Sequence, residues 1–178
     1  SNKTQKRAVL NQLARTLEVG HIIIQQDGRA CTCGNRGCLE TVCSTPALFR
    51  EIRSRTSLQL EYQEVYGSES NPEAMEKVAA AFRNGDPEVS AVVREFARAL
   101  CTGVVSIVNL FSVQSVYIGG AVRILGDPFI RLLQQMLDED FRIITNNSDL
   151  HTALFDDDLE ASRKAAVMLT MERMFQRN

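Results

Sequence analysis

Four of the chain's five cysteines fall between Cys31 and Cys43, in a segment that reads GHIIIQQDGRACTCGNRGCLE up to Glu40. The part carrying the sulfurs cannot fold by burying itself. Arg29, Thr32, Asn35 and Arg36 stand among the cysteines, and a loop this polar has too little apolar surface to offset the entropy of ordering it. Three soft thiolates and one imidazole suit tetrahedral zinc. His21 lies ten residues before Cys31, Cys33 completes a Cys-x-Cys pair, and Cys38 follows five residues later. Gly34 and Gly37 let the backbone curl tightly enough to return the third sulfur to the first two. Four ligands fill the shell and leave no position for water, so the metal reads as structural, with about 10 to 16 kcal/mol of apparent binding free energy typical of such sites.

Other readings of the same residues stay open at this level. Buried or free cysteines beside a chance histidine would need no metal. Cys43 could replace one of the three sulfurs, but it sits beyond Leu39-Glu40, where a helix should begin, and reads as a small core residue. Cys101 lies in an apolar helical stretch and reads as packing. A redox centre fits less well, because the spacing is Cys-x-Cys rather than Cys-x-x-Cys at a helix start.

With 178 residues, 44% of them hydrophobic, the chain can build one globular core. Its 20 basic and 22 acidic side chains leave a net charge of -2, so no overall positive field holds nucleic acid or an anionic membrane. No apolar run reaches the length of a membrane span, and SNKTQKRAVLNQLARTL lacks the features of a secretory signal. The expectation is a cytoplasmic domain. Ser1-Asn2 before a lysine reads as an expression scar, and the chain as part of a longer protein.

Strand and helix signals alternate. GHIIIQQDG reads as a short strand closed by Asp27-Gly28. Thr45 to about Thr56 reads as a helix with a threonine cap and Pro46 in its first turn, and SLQLEYQEVYGSESN as a connection. Asn71-Pro72 opens a second helix that ends at Gly85. Asp86-Pro87 opens a longer one, with Val89, Val93, Phe96, Leu100, Val104, Val108 and Phe111 at helical spacing. Its second half is apolar nearly all round and should be buried. VQSVYIGGAV is a strand running into a glycine pair, and Gly126-Asp127-Pro128 starts a helix expected to reach about Ile144. LHTALF is a last strand, and Asp156 to Asp158 lead into a closing helix lined by Ala161, Ala165, Met168, Leu169 and Met171. This order indicates an α/β domain with a mixed or parallel sheet.

Glu18-Val19-Gly20-His21, followed by Cys31-Thr32-Cys33-Gly34-Asn35-Arg36-Gly37-Cys38-Leu39-Glu40, resembles the signature of the ROK family of repressors, open reading frames and sugar kinases. Val108-Asn109-Leu110-Phe111 and Val116-Tyr117-Ile118-Gly119-Gly120-Ala121-Val122 extend the resemblance over essentially the whole chain. It is nearest to the N-acetylglucosamine and Mlc-type repressors of that family. The resemblance implies an actin-like, ribonuclease-H-like ATPase fold in two lobes, with residues 1–178 as a single C-terminal lobe that carries the zinc-binding loop. It also implies that Glu18, His21 and Glu40 face a sugar or sugar-phosphate effector, with His21 giving one ring nitrogen to zinc and the other to a sugar hydroxyl. Gly119 and Gly120 would be a vestigial nucleotide loop, although a glycine pair also simply ends a strand.

Two departures bear on function. The Asp-x-Gly-x-Thr phosphate loop and the Asn-Asp pair that a kinase of this family needs occur nowhere in the sequence, so this chain alone is expected to lack catalytic residues. Where family kinases place glycines to open the last helix, this chain has Glu160-Ala161-Ser162-Arg163-Lys164-Ala165-Ala166, whose side chains would crowd a nucleotide. The resulting expectation is the sugar-sensing and oligomerisation domain of a repressor, with the C-terminal half of an ATP-dependent sugar kinase as the alternative. Expected partners are a second copy of the chain in a dimer or tetramer, operator DNA through a separate N-terminal domain, and a phosphotransferase-system protein.

Overall fold

The computed structural model describes residues 18–61, 71–111, 115–141 and 151–154. The first three helices begin where a short polar side chain takes over an orphan backbone donor. α1 spans Thr45–Arg55, with Pro46 in its first turn, and the Ser44 side chain accepts from the Ala47 N–H at 3.3 Å. The cap is therefore Ser44 and not a threonine, because the serine hydroxyl stands three residues before that free N–H. α2 spans Pro72–Arg83, where Asn71 accepts from the Ala74 N–H at 3.2 Å. α3 spans Pro87–Phe111, capped by Asp86 on the Val89 N–H at 2.9 Å. Its 25 residues make a rod of about 37 Å.

β1 covers Ser115–Ile118 and β2 covers His151–Leu154. They pair in parallel, with Ser115 opposite His151 and Ile118 opposite Leu154. The crossover between them holds a 3-10 turn, Ala121–Leu125, and α4, Asp127–Glu139, as parallel strands require. α4 stops at Glu139, short of the expected Ile144. Asp138, Glu139 and Asp140 put negative charge at the end where carbonyl dipoles already point, which disfavours further turns.

The core is helical. α3 packs on α1, α2 and α4, and the Ala121–Leu125 turn packs on α2. Leu48, Ile52, Met75, Val78, Val89, Val93, Leu125, Phe129 and Leu133 are almost entirely shielded. Phe96 and Phe129 meet in a tilted arrangement with centroids 6.1 Å apart. Among the described residues no polar or charged side chain is buried. Outside the core, the two charged nitrogens of Arg55 grip the Glu95 carboxylate of α3.

The C-terminal half of α3 is less enclosed than its composition suggests. Val104 and Val108 are buried, Ile107 and Phe111 are half-buried, and Leu110 is 71% exposed. One face of that half is covered by α4 and by the turns of the cysteine segment. A uniformly apolar run does not by itself say how many faces have neighbours. The closing helix expected after Asp158, the crowding segment Glu160–Ala166 and the connection at 62–70 lie outside the described residues. No helix among the described residues is long and apolar enough to cross a membrane.

Candidate metal centre

The isoleucine run does not form the expected strand. Val19–His21 is a single 3-10 turn, and Ile23 makes one isolated antiparallel bridge to Cys38. A strand needs a partner of matching length, and the neighbouring backbone curls away after that one bridge. Leu39 donates to the Ile22 carbonyl at 2.8 Å, while the N–H groups of Ile24 and Gln25 share the Gly37 carbonyl at 2.9 and 3.2 Å. Ile23 is left 54% exposed.

From this anchor the chain runs out and back as a small hairpin. Ala30 bridges Arg36, Cys31 donates to the Asn35 carbonyl at 2.8 Å, and Gly37 donates to the Arg29 carbonyl at 2.8 Å. The return depends on Gly37, which holds φ at +71° with an ideal Cβ position only 1.5 Å from the Gln25 carbonyl oxygen. Any larger residue would collide with backbone, so the close approach requires glycine.

The hairpin brings together the four residues expected to bind metal. One ligand atom from each of His21, Cys31, Cys33 and Cys38 lies within 4.8 Å of the others. The Cys33 and Cys38 sulfurs are 3.6 Å apart, and Cys31 Sγ is 3.5 Å from His21 Nδ1. Zinc with tetrahedral sulfur bonds of about 2.3 Å would hold neighbouring sulfurs roughly 3.8 Å apart. The donor set and its spacing therefore fit a zinc ion. Cys31 and Cys38 are buried, and Cys33 is exposed.

The same packing sets the thiols apart electrically. Cys31 donates to Glu40 Oε1 at 2.9 Å, and this bond is the largest cause of a pKa raised to about 12. Cys33 is lowered to about 7, chiefly by the Asn35 backbone N–H. Cys38 is raised by desolvation. Burial holds Cys43 up at about 12 and Cys101 at about 11, as expected for unreactive packing residues. Cys43 is half-buried against the core, and Cys101 is fully shielded within α3.

The three residues expected at a sugar are arranged unequally. Glu40 lies on the 3-10 turn Leu39–Thr41, with Oε1 3.8 Å from His21 Nδ1 and 3.2 Å from the Thr32 hydroxyl. Its carboxylate is turned toward the thiol cluster, which the sequence did not indicate. Glu18 is exposed at the start of the first turn, where its carbonyl accepts from the His21 N–H at 3.0 Å. Two further residues support Glu40 without having been singled out in the sequence. Thr32 donates to its carboxylate, and Arg50 of α1 donates to the Thr41 carbonyl at 2.7 Å, fixing the end of the turn. An arginine one turn inside a helix that follows such a motif is the available signal, and it is a weak one.

Gly119 and Gly120 follow β1 directly, and Gly120 holds φ at +75° with ψ at -166°. That conformation is essentially confined to glycine. A cavity of about 450 Å³ lies elsewhere, behind the metal loop, between Ile24 and Val42 on one side and Val92, Phe96 and Ala99 of α3 on the other. None of the expected site residues lines it.

A model of the ROK family matches residues 15–162. Among curated relatives, a xylose repressor of Caldicellulosiruptor bescii is 27% identical over 68% of this chain and 31% of its own length. A glucokinase of Thermotoga maritima is 32% identical over 62% of this chain and 35% of its own length. The chain thus spans about a third of the length of these relatives. Among solved structures, a ROK family transcriptional regulator described as a homologue of the Escherichia coli MLC protein superposes with a TM-score of 0.63 at 26% identity. It covers 86% of this chain and 38% of the regulator. A ROK hexokinase from Thermus thermophilus gives the same TM-score at 22% identity, over 90% of this chain and 49% of the hexokinase, and shares the fold. With its signature assembled in space and the family model spanning most of its length, the chain belongs to the ROK family.

Proposed function

We propose that this chain is the sugar-sensing and oligomerisation lobe of a ROK-family transcriptional repressor, built around a structural zinc held by His21, Cys31, Cys33 and Cys38. The observation that carries the reading is the contact geometry of His21. Its Nδ1 faces both the sulfur cluster and Glu40, at 3.5 Å from Cys31 Sγ and 3.8 Å from Glu40 Oε1. Bound zinc would close the loop and fix the ring's orientation and tautomer. The other ring nitrogen would meet a sugar hydroxyl, with Glu40 and Glu18 accepting from adjacent hydroxyls. The Glu40 carboxylate would turn from Cys31 toward the sugar.

A xylose repressor among the relatives and a regulator among the structural neighbours support this reading. The repressor would bind operator DNA through a separate N-terminal domain and assemble as a dimer or tetramer in the cytoplasm. Sugar, or a docked phosphotransferase-system protein, would release DNA by favouring one arrangement of two actin-like lobes, in proportion to its differential affinity for them. Gly119 and Gly120 would be the remnant of a nucleotide loop. The second reading, the C-terminal half of a sugar kinase, draws on the glucokinase relative. The absence from this sequence of the phosphate loop and the aspartate base weighs against catalysis by this chain alone.

Calorimetry of the full-length protein with glucose, N-acetylglucosamine, xylose and the 6-phosphates of the two hexoses tests both readings. Binding that Glu40→Gln weakens at least tenfold, with no ATP-dependent phosphorylation, is the expected result. Phosphorylated sugar in the presence of ATP would move the protein to the kinases.

A further inference from the structure

The four metal-binding side chains differ in exposure. Cys31 and Cys38 are buried, and His21 is half-buried. Cys33 is exposed, at the tip of the hairpin, next to Gly34, whose Cβ position meets nothing within 4 Å. A solute arriving from outside therefore reaches one sulfur of the site before the others. The Cys38 sulfur lies 3.6 Å from it and is shielded from solvent. The Cys31 sulfur donates to Glu40 at 2.9 Å, its strongest contact, and its backbone is held in the hairpin.

Resting on the zinc reading above, we propose that the Cys33–Cys38 pair is a peroxide-sensitive clasp whose oxidation to a disulfide expels the zinc ion. In the first step the Cys33 thiolate attacks hydrogen peroxide. The O–O bond breaks, Cys33 becomes a sulfenic acid and hydroxide leaves. In the second step the Cys38 thiolate displaces hydroxide from that sulfenic sulfur and forms the S–S bond. Two thiolates and one peroxide become one disulfide and two hydroxides, with the sulfurs oxidised by two electrons and the peroxide reduced by two. His21 and Cys31 remain as two ligands, too few for a closed zinc shell, and the ion departs as Zn²⁺. The turn that carries Glu40 is tethered to Cys38 through the Thr41 hydroxyl, which donates to the Cys38 carbonyl at 2.7 Å. Oxidation would therefore disturb sugar recognition as well as the metal.

The experiment treats the zinc-loaded full-length protein with hydrogen peroxide, follows released zinc with a colorimetric chelator and maps disulfides by peptide mass spectrometry. The expected result is release of one zinc per chain together with a Cys33–Cys38 disulfide, and recovery of zinc binding after a dithiol reductant and added zinc. Cys43→Ser with Cys101→Ala, which removes the thiols outside the cluster, should release zinc and form the same disulfide. Release accompanied by a Cys31 disulfide, by sulfinic acid at Cys33 without a disulfide, or by oxidation only in the presence of Cys43 or Cys101 would overturn the clasp and leave the structural zinc in place. Retention of zinc through complete peroxide treatment would do the same. Freshly purified protein with no zinc would overturn the metal reading itself.

Discussion

The helical core and the metal loop lie side by side, and they are held by opposite means. In the core, α1 to α4 bury many interchangeable contacts, so each side chain shares its load with neighbours. In the loop, residues 21–41 bury little besides Cys31, Gly37, Cys38 and Leu39, and a handful of backbone hydrogen bonds sets their course. The difference is one of redundancy. Apolar packing degrades gradually when one contact is lost, whereas a four-ligand cluster fails with any one of its members.

Removing the metal should separate the two regions most sharply. Stripping zinc with a chelator withdraws about 10 to 16 kcal/mol of apparent binding free energy from the loop, and replacing Cys38 with serine withdraws part of it. In amide exchange, Ile24, Gly37 and Leu39 should lose protection while the interior of α2 and α3 keeps it. Simultaneous loss in both regions would show that the loop and the core fold as one unit. The reciprocal change is Phe129→Ala, which truncates a fully buried ring against Phe96. It should lower global stability by about 3 to 5 kcal/mol in denaturant titration and leave one zinc per chain.

Within the loop, the glycines should rank by what surrounds them. Gly37→Ala places a methyl group on the Gln25 carbonyl and is expected to cost about 3 kcal/mol, or roughly a hundredfold in zinc affinity. Gly34→Ala keeps an unfavourable φ of +93° but meets no atom within 4 Å, so about 1 kcal/mol is expected. Equal effects in a competition titration would contradict the geometry. Acidification should give the gentlest change. Zinc must displace the Cys31 proton, which Glu40 holds up to about 12, so affinity falls as pH falls. Below about 7, Cys33 also takes up a proton before metal arrives. The slope of log affinity against pH should therefore steepen below neutrality, by about one further decade per pH unit. A slope that stays flat through that range would count against thiolate ligation.

Much of this was legible in the sequence where the cause is local. Asn71, Asp86 and the proline after each announce their helices because a cap and its donor lie three residues apart. The one displaced cap, Ser44 in place of a threonine, is an error of a single residue between adjacent hydroxyls. The clustering of His21, Cys31, Cys33 and Cys38 was legible because few residue types share that spacing and the glycines between them have a steric purpose. Three isoleucines, in contrast, carry no information about what they will pair with, and the strand they suggested reduces to one bridge. The direction of the Glu40 side chain is a rotamer choice made by Cys31 and Thr32, which no spacing records. The Ala121–Leu125 turn was missed although it had a signal. Gly120 and Gly126 bracket it with nearly the same backbone angles, φ +75° and +72° with ψ -166° and -164°.

One contact joins the two regions without any cushion. Gly103 of α3 has no side chain, and a Cβ there would stand 2.6 Å from Leu39 Cδ2. The helix axis is thus the bearing on which the turn carrying Glu40 rests. Leu39 is the residue before Glu40, so a rotation or slide of this rod is felt one peptide away from the carboxylate. A side chain at 103 would act as a shim, lifting the turn from the rod and loosening the coupling between the helix and the turn that carries Glu40.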